Sequence, residues 1–273
     1  MSTNAINILV SFDKGYIKPF HTMLKSLVTN NPHETIHIWL LHSSISSEEL
    51  QDLGDFCDLQ GVSLTPIQVD SAIFKKAPVS KQYPQEMYYR LLAPHLLPST
   101  LDRILYLDPD ILVINSIRPL WEMSLNEYIF AAASHIGVTN IINGVNRIRL
   151  GTNHDYFNTG VLLMNLKVAR EVVKAEDIFQ CVSNYKGELI LPDQDVFNFL
   201  YGSLTLAIDD AIWNYDARYY TSYMIRSGGD YDLDWVMKNT VILHFCGKRK
   251  PWAKSYSYRF ATLYKHYMNA IFR

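Results

Sequence analysis

The chain has 273 residues, with 25 Lys and Arg set against 27 Asp and Glu. That length gives one large domain or two small ones, with enough residues to bury a core without disulfide or metal staples. The 48% hydrophobic and 19% charged composition excludes a mainly disordered chain, and the near-neutral balance excludes a general nucleic-acid binder, which needs a basic excess against phosphate.

Residues 6–12 read as a buried strand. Residues 17–29 have helical spacing, with Pro19 near the start, where a missing N–H costs little. Residues 36–42 form the next strand-like run. Ser46-Ser-Glu-Glu49 is a capping-box pattern that opens a helix to about residue 59. Gly61 ends it, and residues 64–69 read as another strand. Pro84 leads into a helix around residues 86–92. Residues 103–107 form a strand that runs into Asp108-Pro109-Asp110. Further apolar runs cover residues 128–133 and 160–165, and one amphipathic pattern covers 168–185. Residues 196–201 look like a short helix. The stretch 201–239, rich in Tyr and holding Gly228-Gly229, reads as irregular, as binding loops often do. Residues 240–245 form a last strand, and 256–273 an ordinary packed terminal helix with a weaker alternative as an interfacial one.

This alternation predicts an α/β fold with a parallel sheet and helices on both faces. No Gly/Ser-rich linker divides the chain, so a single domain over residues 1–273 is expected. Cys57, Cys181 and Cys246 are too few and too scattered for a disulfide scaffold or a Cys-only zinc site, and fit a reducing compartment. The N-terminus has no signal-peptide pattern, and no apolar run approaches the ~20 residues of a membrane span. The expected location is cytoplasmic.

Ligands in open α/β sheets bind outside the carboxyl ends of the strands. Asp-x-Asp occurs four times, but only Asp108/Asp110 follows an apolar strand. Pro109 favours an extended Asp108, which sends both carboxylates the same way. Their repulsion is relieved by a hard or borderline cation such as Mg²⁺ or Mn²⁺. A plain surface turn is the competing reading. The run Asp230-Tyr-Asp-Leu-Asp234 lacks the Gly and terminal Glu of a calcium loop and reads as a solvated loop. His244 ends a strand and is followed by Gly247, Lys248, Arg249 and Lys250, a set suited to a diphosphate; an exposed basic turn after a core histidine is the alternative. Asp193 is a candidate helix N-cap or, with Gln194, a holder of sugar hydroxyls. Asn158 and Gly160 suit a tight turn. Asp13 and Tyr16 lie where the first nucleotide contact of such a sheet belongs. No Gly-x-Gly-x-x-Gly, P-loop or Gly-x-Ser-x-Gly is present, which removes dehydrogenases, P-loop NTPases and α/β-hydrolases.

Taken in order, Asp13 and Tyr16, Leu105-Tyr-Leu-Asp-Pro-Asp-Ile-Leu-Val113, Tyr156-Phe-Asn-Thr-Gly-Val-Leu-Leu-Met-Asn-Leu166, Asp193-Gln-Asp195 and the His244–Trp252 segment resemble the family 8 glycosyltransferases. That group contains bacterial lipopolysaccharide galactosyl- and glucosyltransferases and glycogenin. The resemblance implies a GT-A type fold, a mostly parallel nucleotide-binding sheet flanked by helices. It implies a UDP-sugar donor (UDP-glucose or UDP-galactose), Mn²⁺ with Mg²⁺ as the alternative, and retention at the anomeric carbon. It assigns the metal to Asp108, Asp110 and His244, and the diphosphate to Gly247 and Lys250. Uracil falls to Asp13 and Tyr16. Asn158, Asp193 and Gln194 fall at the donor sugar and reaction centre, with Arg90 near the donor. The acceptor is expected to be a glycan or glycolipid, with at most weak peripheral membrane contact. Two positions depart from the pattern: Gly15 replaces a common Asn, and His135 stands where a related galactosyltransferase has an Asp. A sugar-nucleotide-binding protein without transferase activity is the alternative reading.

Overall fold

A computed structural model of the chain describes residues 5–74, 86–134, 151–185 and 189–272. The strands are β1 (Ile6–Ser11), β2 (Ile36–His42), β3 (Ser63–Gln68), β4 (Arg103–Leu107), β5 (Ile111–Val113), β6 (Phe130–Ala133), β7 (Val161–Asn165), β8 (Thr205–Ile208), β9 (Tyr215–Asp216) and β10 (Ile242–His244). The helices are α1 (Ile17–Asn30), α2 (Ser47–Leu59), α3 (Met87–Leu96), α4 (Arg118–Trp121), α5 (Leu166–Val172), α6 (Ala175–Asn184), α7 (Pro192–Tyr201), α8 (Asp210–Trp213), α9 (Tyr220–Arg226), α10 (Leu233–Asn239) and α11 (Ala261–Phe272).

Seven strands form the central sheet, in the order β3-β2-β1-β4-β7-β6-β8. Only β7 runs against its neighbours; the other strands pair in parallel. The expected mostly parallel α/β sheet with flanking helices is therefore present. Period-two alternation splits the strand side chains between two cores. Leu9, Trp39 and Tyr106 pack on one face with residues of α3, α6 and α7. Ile8, Val10, Leu105 and Leu107 pack on the other with α1 and α2. The chain moves outward from β1 to β2 and β3, then returns to place β4 on the other side of β1. That reversal opens a crevice at the carboxyl ends of β1 and β4.

A second sheet, β5-β10-β9, carries a third core under α11. Its register sets His244 opposite Ile111, and the Phe245 N–H donates to the Asp110 carbonyl at 3.0 Å. Two segments far apart in sequence are thereby brought to one point.

Several local expectations change. The pattern over 168–185 is two helices, α5 and α6. Val173 is extended (φ −74°, ψ 125°) and buried in the core, which breaks the helix. The stretch 201–239 is not irregular: it holds β8, α8, β9, α9 and α10, each too short for periodicity to show. Within it, Tyr215 and Tyr223 are buried and stacked at 3.9 Å. Helix α3 continues to Leu96 with Pro94 inside it; Pro84 lies outside the described residues. Asp193 does not cap α7. Leu191 holds that position, with Pro192 next, and the buried Asp195 carboxylate accepts the Ile190 and Leu191 N–H groups at 2.7 and 3.1 Å. In the acidic run, Asp232 caps α10 through the Trp235 N–H. The capping box of α2 is formed as read, with Ser46 and Glu49 exchanging bonds of 2.9 and 3.2 Å. Helix α11 packs on the body of the protein: Tyr264 is buried, and the Asn30 amide of α1 donates to the Tyr267 hydroxyl at 2.9 Å. No helix among the described residues is long and apolar enough to cross a membrane.

Candidate active site

A cleft of about 410 Å³ opens at the switch point, a size suited to a small-molecule ligand. Asp13 and Tyr16, just past β1, form one wall. The Asp13 carboxylate accepts the Gly15 N–H at 2.7 Å, and a side chain at Gly15 would crowd that same oxygen at 3.0 Å. The Tyr16 ring stands edge-on to Trp252, 5.8 Å away.

Asp108 and Asp110 form the floor. Pro109 and Asp110 make a turn between β4 and β5, so the two carboxylates are carried by a turn that follows the strand rather than by a straight extended run. Each carboxylate has one oxygen held by a cation. Asp108 Oδ1 takes Arg90 Nη2 at 2.9 Å and the Tyr106 hydroxyl at 2.7 Å. Asp110 Oδ2 takes Lys250 Nζ. The remaining oxygens face His244: its Nε2 lies 3.8 Å from Asp108 Oδ2 and 3.4 Å from Asp110 Oδ1. One ligand atom from each of the three side chains lies within 4.8 Å of the others. Two carboxylate oxygens and an imidazole nitrogen are a fitting donor set for a hard or borderline divalent ion.

Electrostatics agree with a cation site. Burial pushes the Asp110 carboxyl up, but His244 and Lys250 outweigh this and hold it below the usual carboxylate range. Burial disfavours the His244 imidazolium, yet Cys246 and the facing Asp110 carboxylate outweigh this and raise His244 well above its ordinary value. Room for the cluster comes from Gly160, whose carbonyl receives the Asp108 N–H at 2.8 Å. A Cβ there would collide with the His244 ring and lie 2.7 Å from Asp108 Oδ2.

Arg90, on α3, joins the floor to the far wall. Its Nε lies 3.4 Å from Asp193 Oδ2, and its Nη1 donates to the Thr159 carbonyl at 3.1 Å. Its guanidinium also lies 4.6 Å over the Tyr106 ring. Burial alone lowers the Arg90 pKa; Asp108, Tyr106 and Asp193 reverse that and raise it. The far wall is α7 and the segment before β7. Asn198 clamps Phe157 by bonds of 2.7 and 2.8 Å to its N–H and carbonyl, and Tyr156 donates to Asp195. These braces set Asn158 beside Gln194, whose Oε1 accepts the Asn158 amide at 3.2 Å.

The family model for glycosyl transferase family 8 matches residues 7–255. The chain belongs to this family. The match runs through both sheets of the fold. Among relatives, the chain is 25% identical over 272 residues to general stress protein A of Bacillus subtilis (strain 168), covering 97% of this chain and 93% of that one. It is 25% identical over 274 residues to a lipopolysaccharide 1,2-glucosyltransferase of Escherichia coli (strain K12), covering 97% and 78%. The fold matches a crystal structure of galactosyltransferase LgtC in complex with donor and acceptor sugar analogues, with a TM-score of 0.81 at 22% identity, covering 97% and 96%.

For this family member, the cleft brings together Asp13, Tyr16, Arg90, Asp108, Asp110, Asp193 and Lys250, all singled out in the sequence. His244 lies buried against the two carboxylates, and Asn158 and Gln194 stand together at the far wall. Gly247 takes φ +83°, and its missing side chain leaves room for Arg218 Nη1, 2.5 Å from where a Cβ would sit. Arg218 in turn is held by Asp216 at 2.6 Å. His135 lies outside the described residues. The sequence reading missed Tyr106, Thr159 and Asn214. Tyr106 sits two residues before Asp108, at the end of the strand that leads into it, which is a usable signal; Asn214 has no motif around it.

Proposed function

We propose that the protein is a divalent-metal-dependent, retaining hexosyltransferase that moves glucose or galactose from a UDP-sugar to a glycan or lipopolysaccharide-type acceptor. The convergence of Asp108, Asp110 and His244 within 4.8 Å on the floor of the switch-point cleft carries this reading. The E. coli relative's name and the sugar analogues bound by the galactosyltransferase support it.

In this reading Asp108, Asp110 and His244 hold Mn²⁺ or Mg²⁺, which when bound supplies Lewis-acid stabilisation of the charge left on the diphosphate. Lys250, poised at Asp110, adds its ammonium to the same phosphates, with the Gly247 N–H beside it. Asp13 and the Tyr16 ring receive uracil. Arg90 keeps Asp108 and Asp193 in place, and Asn158, Asp193 and Gln194 surround the donor sugar. The Gln194 amide is a poor nucleophile, and the Asp193 carboxylate is paired with Arg90. Retention then follows from attack on the face the leaving group departs. The acceptor oxygen bonds to the anomeric carbon, the sugar–phosphate bond breaks, and the acceptor's proton passes to the leaving phosphate oxygen. All three cysteines are free and buried, which supports a reducing compartment and an acceptor met in the cytoplasm or at the inner membrane face.

The test is a thermal-unfolding series with UDP and Mn²⁺ followed by a donor panel. UDP with Mn²⁺ raises Tm, and EDTA removes the greater part of the gain. Either UDP-glucose or UDP-galactose releases UDP, and Gln194→Ala slows that release while UDP binding persists. No stabilisation by UDP with Mn²⁺ overturns the proposal; binding without release from any donor, with glycan acceptors present, favours the binding-only alternative.

A further inference from the structure

The Gly160 N–H can only donate, so the Asn158 atom it meets at 2.9 Å is the carbonyl oxygen. Asn158 therefore turns its amide nitrogen to Gln194 Oε1. The same Asn158 oxygen is 2.9 Å from the Asn214 side chain, which must meet it with its nitrogen. Asn214 then has its carbonyl oxygen left for His244 Nδ1, 2.8 Å away. Nδ1 is thus the nitrogen that carries a proton. The lone pair of the neutral ring sits on Nε2, the nitrogen that faces Asp108 and Asp110. One backbone N–H, with no freedom to choose, orients a chain of amides from Gln194 to His244.

We infer that Asn214 is a positioning residue: it locks His244 in the Nδ1–H tautomer, holds Nε2 toward the cation site, and through Asn158 couples that site to Gln194. This rests on the metal reading above. Asn214 is wholly buried, in the bend between α8 and β9. A buried amide costs free energy unless its bonds are made, and Asn214 makes its own to Asn158 and His244. The amide earns its place through His244. A partner on the second ring nitrogen fixes the tautomer and orientation of a metal-binding histidine, and its loss typically lowers metal affinity by about 10–100-fold.

The experiment measures Mn²⁺ affinity in the presence of UDP for the wild type, Asn214→Leu and Asn214→Asp, beside UDP affinity in EDTA. Asn214→Leu cannot accept from Nδ1, and its Mn²⁺ affinity falls about 10–100-fold while metal-free UDP affinity stays. Asn214→Asp keeps an acceptor for Nδ1–H and retains the greater part of the Mn²⁺ affinity, although its link to Asn158 is lost and turnover drops. A merely structural role would lower both variants together or leave Mn²⁺ binding unmoved. Nitrogen NMR of the wild-type protein with Mg²⁺ and UDP reads the tautomer directly, so the proposal stays testable where a variant fails to fold. A protonated Nδ1 supports it; an unprotonated Nδ1 overturns it. Equal Mn²⁺ affinity in wild type and Asn214→Leu overturns this inference alone, whereas a wild type that binds no Mn²⁺ overturns the metal reading beneath it.

Discussion

Gly160 shows how a single position governs the site. Its N–H orients Asn158, its carbonyl receives Asp108, and its bare Cα leaves space for the His244 ring. Gly160→Ala inserts a methyl group into that space. The expected cost is about 1–3 kcal/mol in stability, seen in urea unfolding, together with loss of Mn²⁺-dependent UDP binding as His244 or Asp108 is displaced. Wild-type affinity in that variant would contradict the placement of the cluster. Asp13, Asp108 and His244 were legible in the sequence because each ends an apolar strand, where an open α/β sheet puts its ligands. Asn214 was not, because an isolated Asn between two very short elements leaves no pattern. Its importance comes from neighbours that only the folded chain supplies.

At the scale of elements, the seam between α1, α2 and α11 contains a charge that folding suppresses. The His21 ring lies 4.0 Å from Phe56 and 6.1 Å from Phe272 by centroid, and both its nitrogens are buried with no hydrogen-bond partner among the described residues. Burial lowers its pKa to about 4, with Asp52 opposing. The unfolded chain binds this proton more readily, so stability is complete above pH 6.5 and is lost as pH falls toward 4. After allowance for partial exposure this amounts to about 1–2 kcal/mol. His21→Phe removes that loss, and its stability relative to wild type rises from pH 8 to pH 4.5 in denaturant titrations. A constant difference across that range would contradict it. The long elements α1, α2 and β1 to β4 were readable because each spans several periods of its pattern. The short strands β5, β8 and β9, and the division of α5 from α6, were not: a buried Val173 ends one helix by tertiary packing, which no local propensity records.

Across the whole molecule, function arises where two sheets meet. The large sheet delivers Asp13 and Asp108 at its switch point, and the small one delivers His244 and, beyond it, Lys250. The parallel half followed from the alternation of strands and helices. The antiparallel β7 and the small sheet did not, because their pairings join distant segments. The cleft sets the carboxylates of Asp108, Asp110 and Asp193 against the cations of Arg90 and Lys250. The decisive measurement is Mn²⁺-dependent UDP release from UDP-glucose and UDP-galactose by the wild type and by Asp110→Asn. The predicted result is release from one of the two donors, reduced by about 10²–10³-fold or more in the variant. Equal release by both proteins, or release indifferent to Mn²⁺, would contradict the assignment of Asp108, Asp110 and His244.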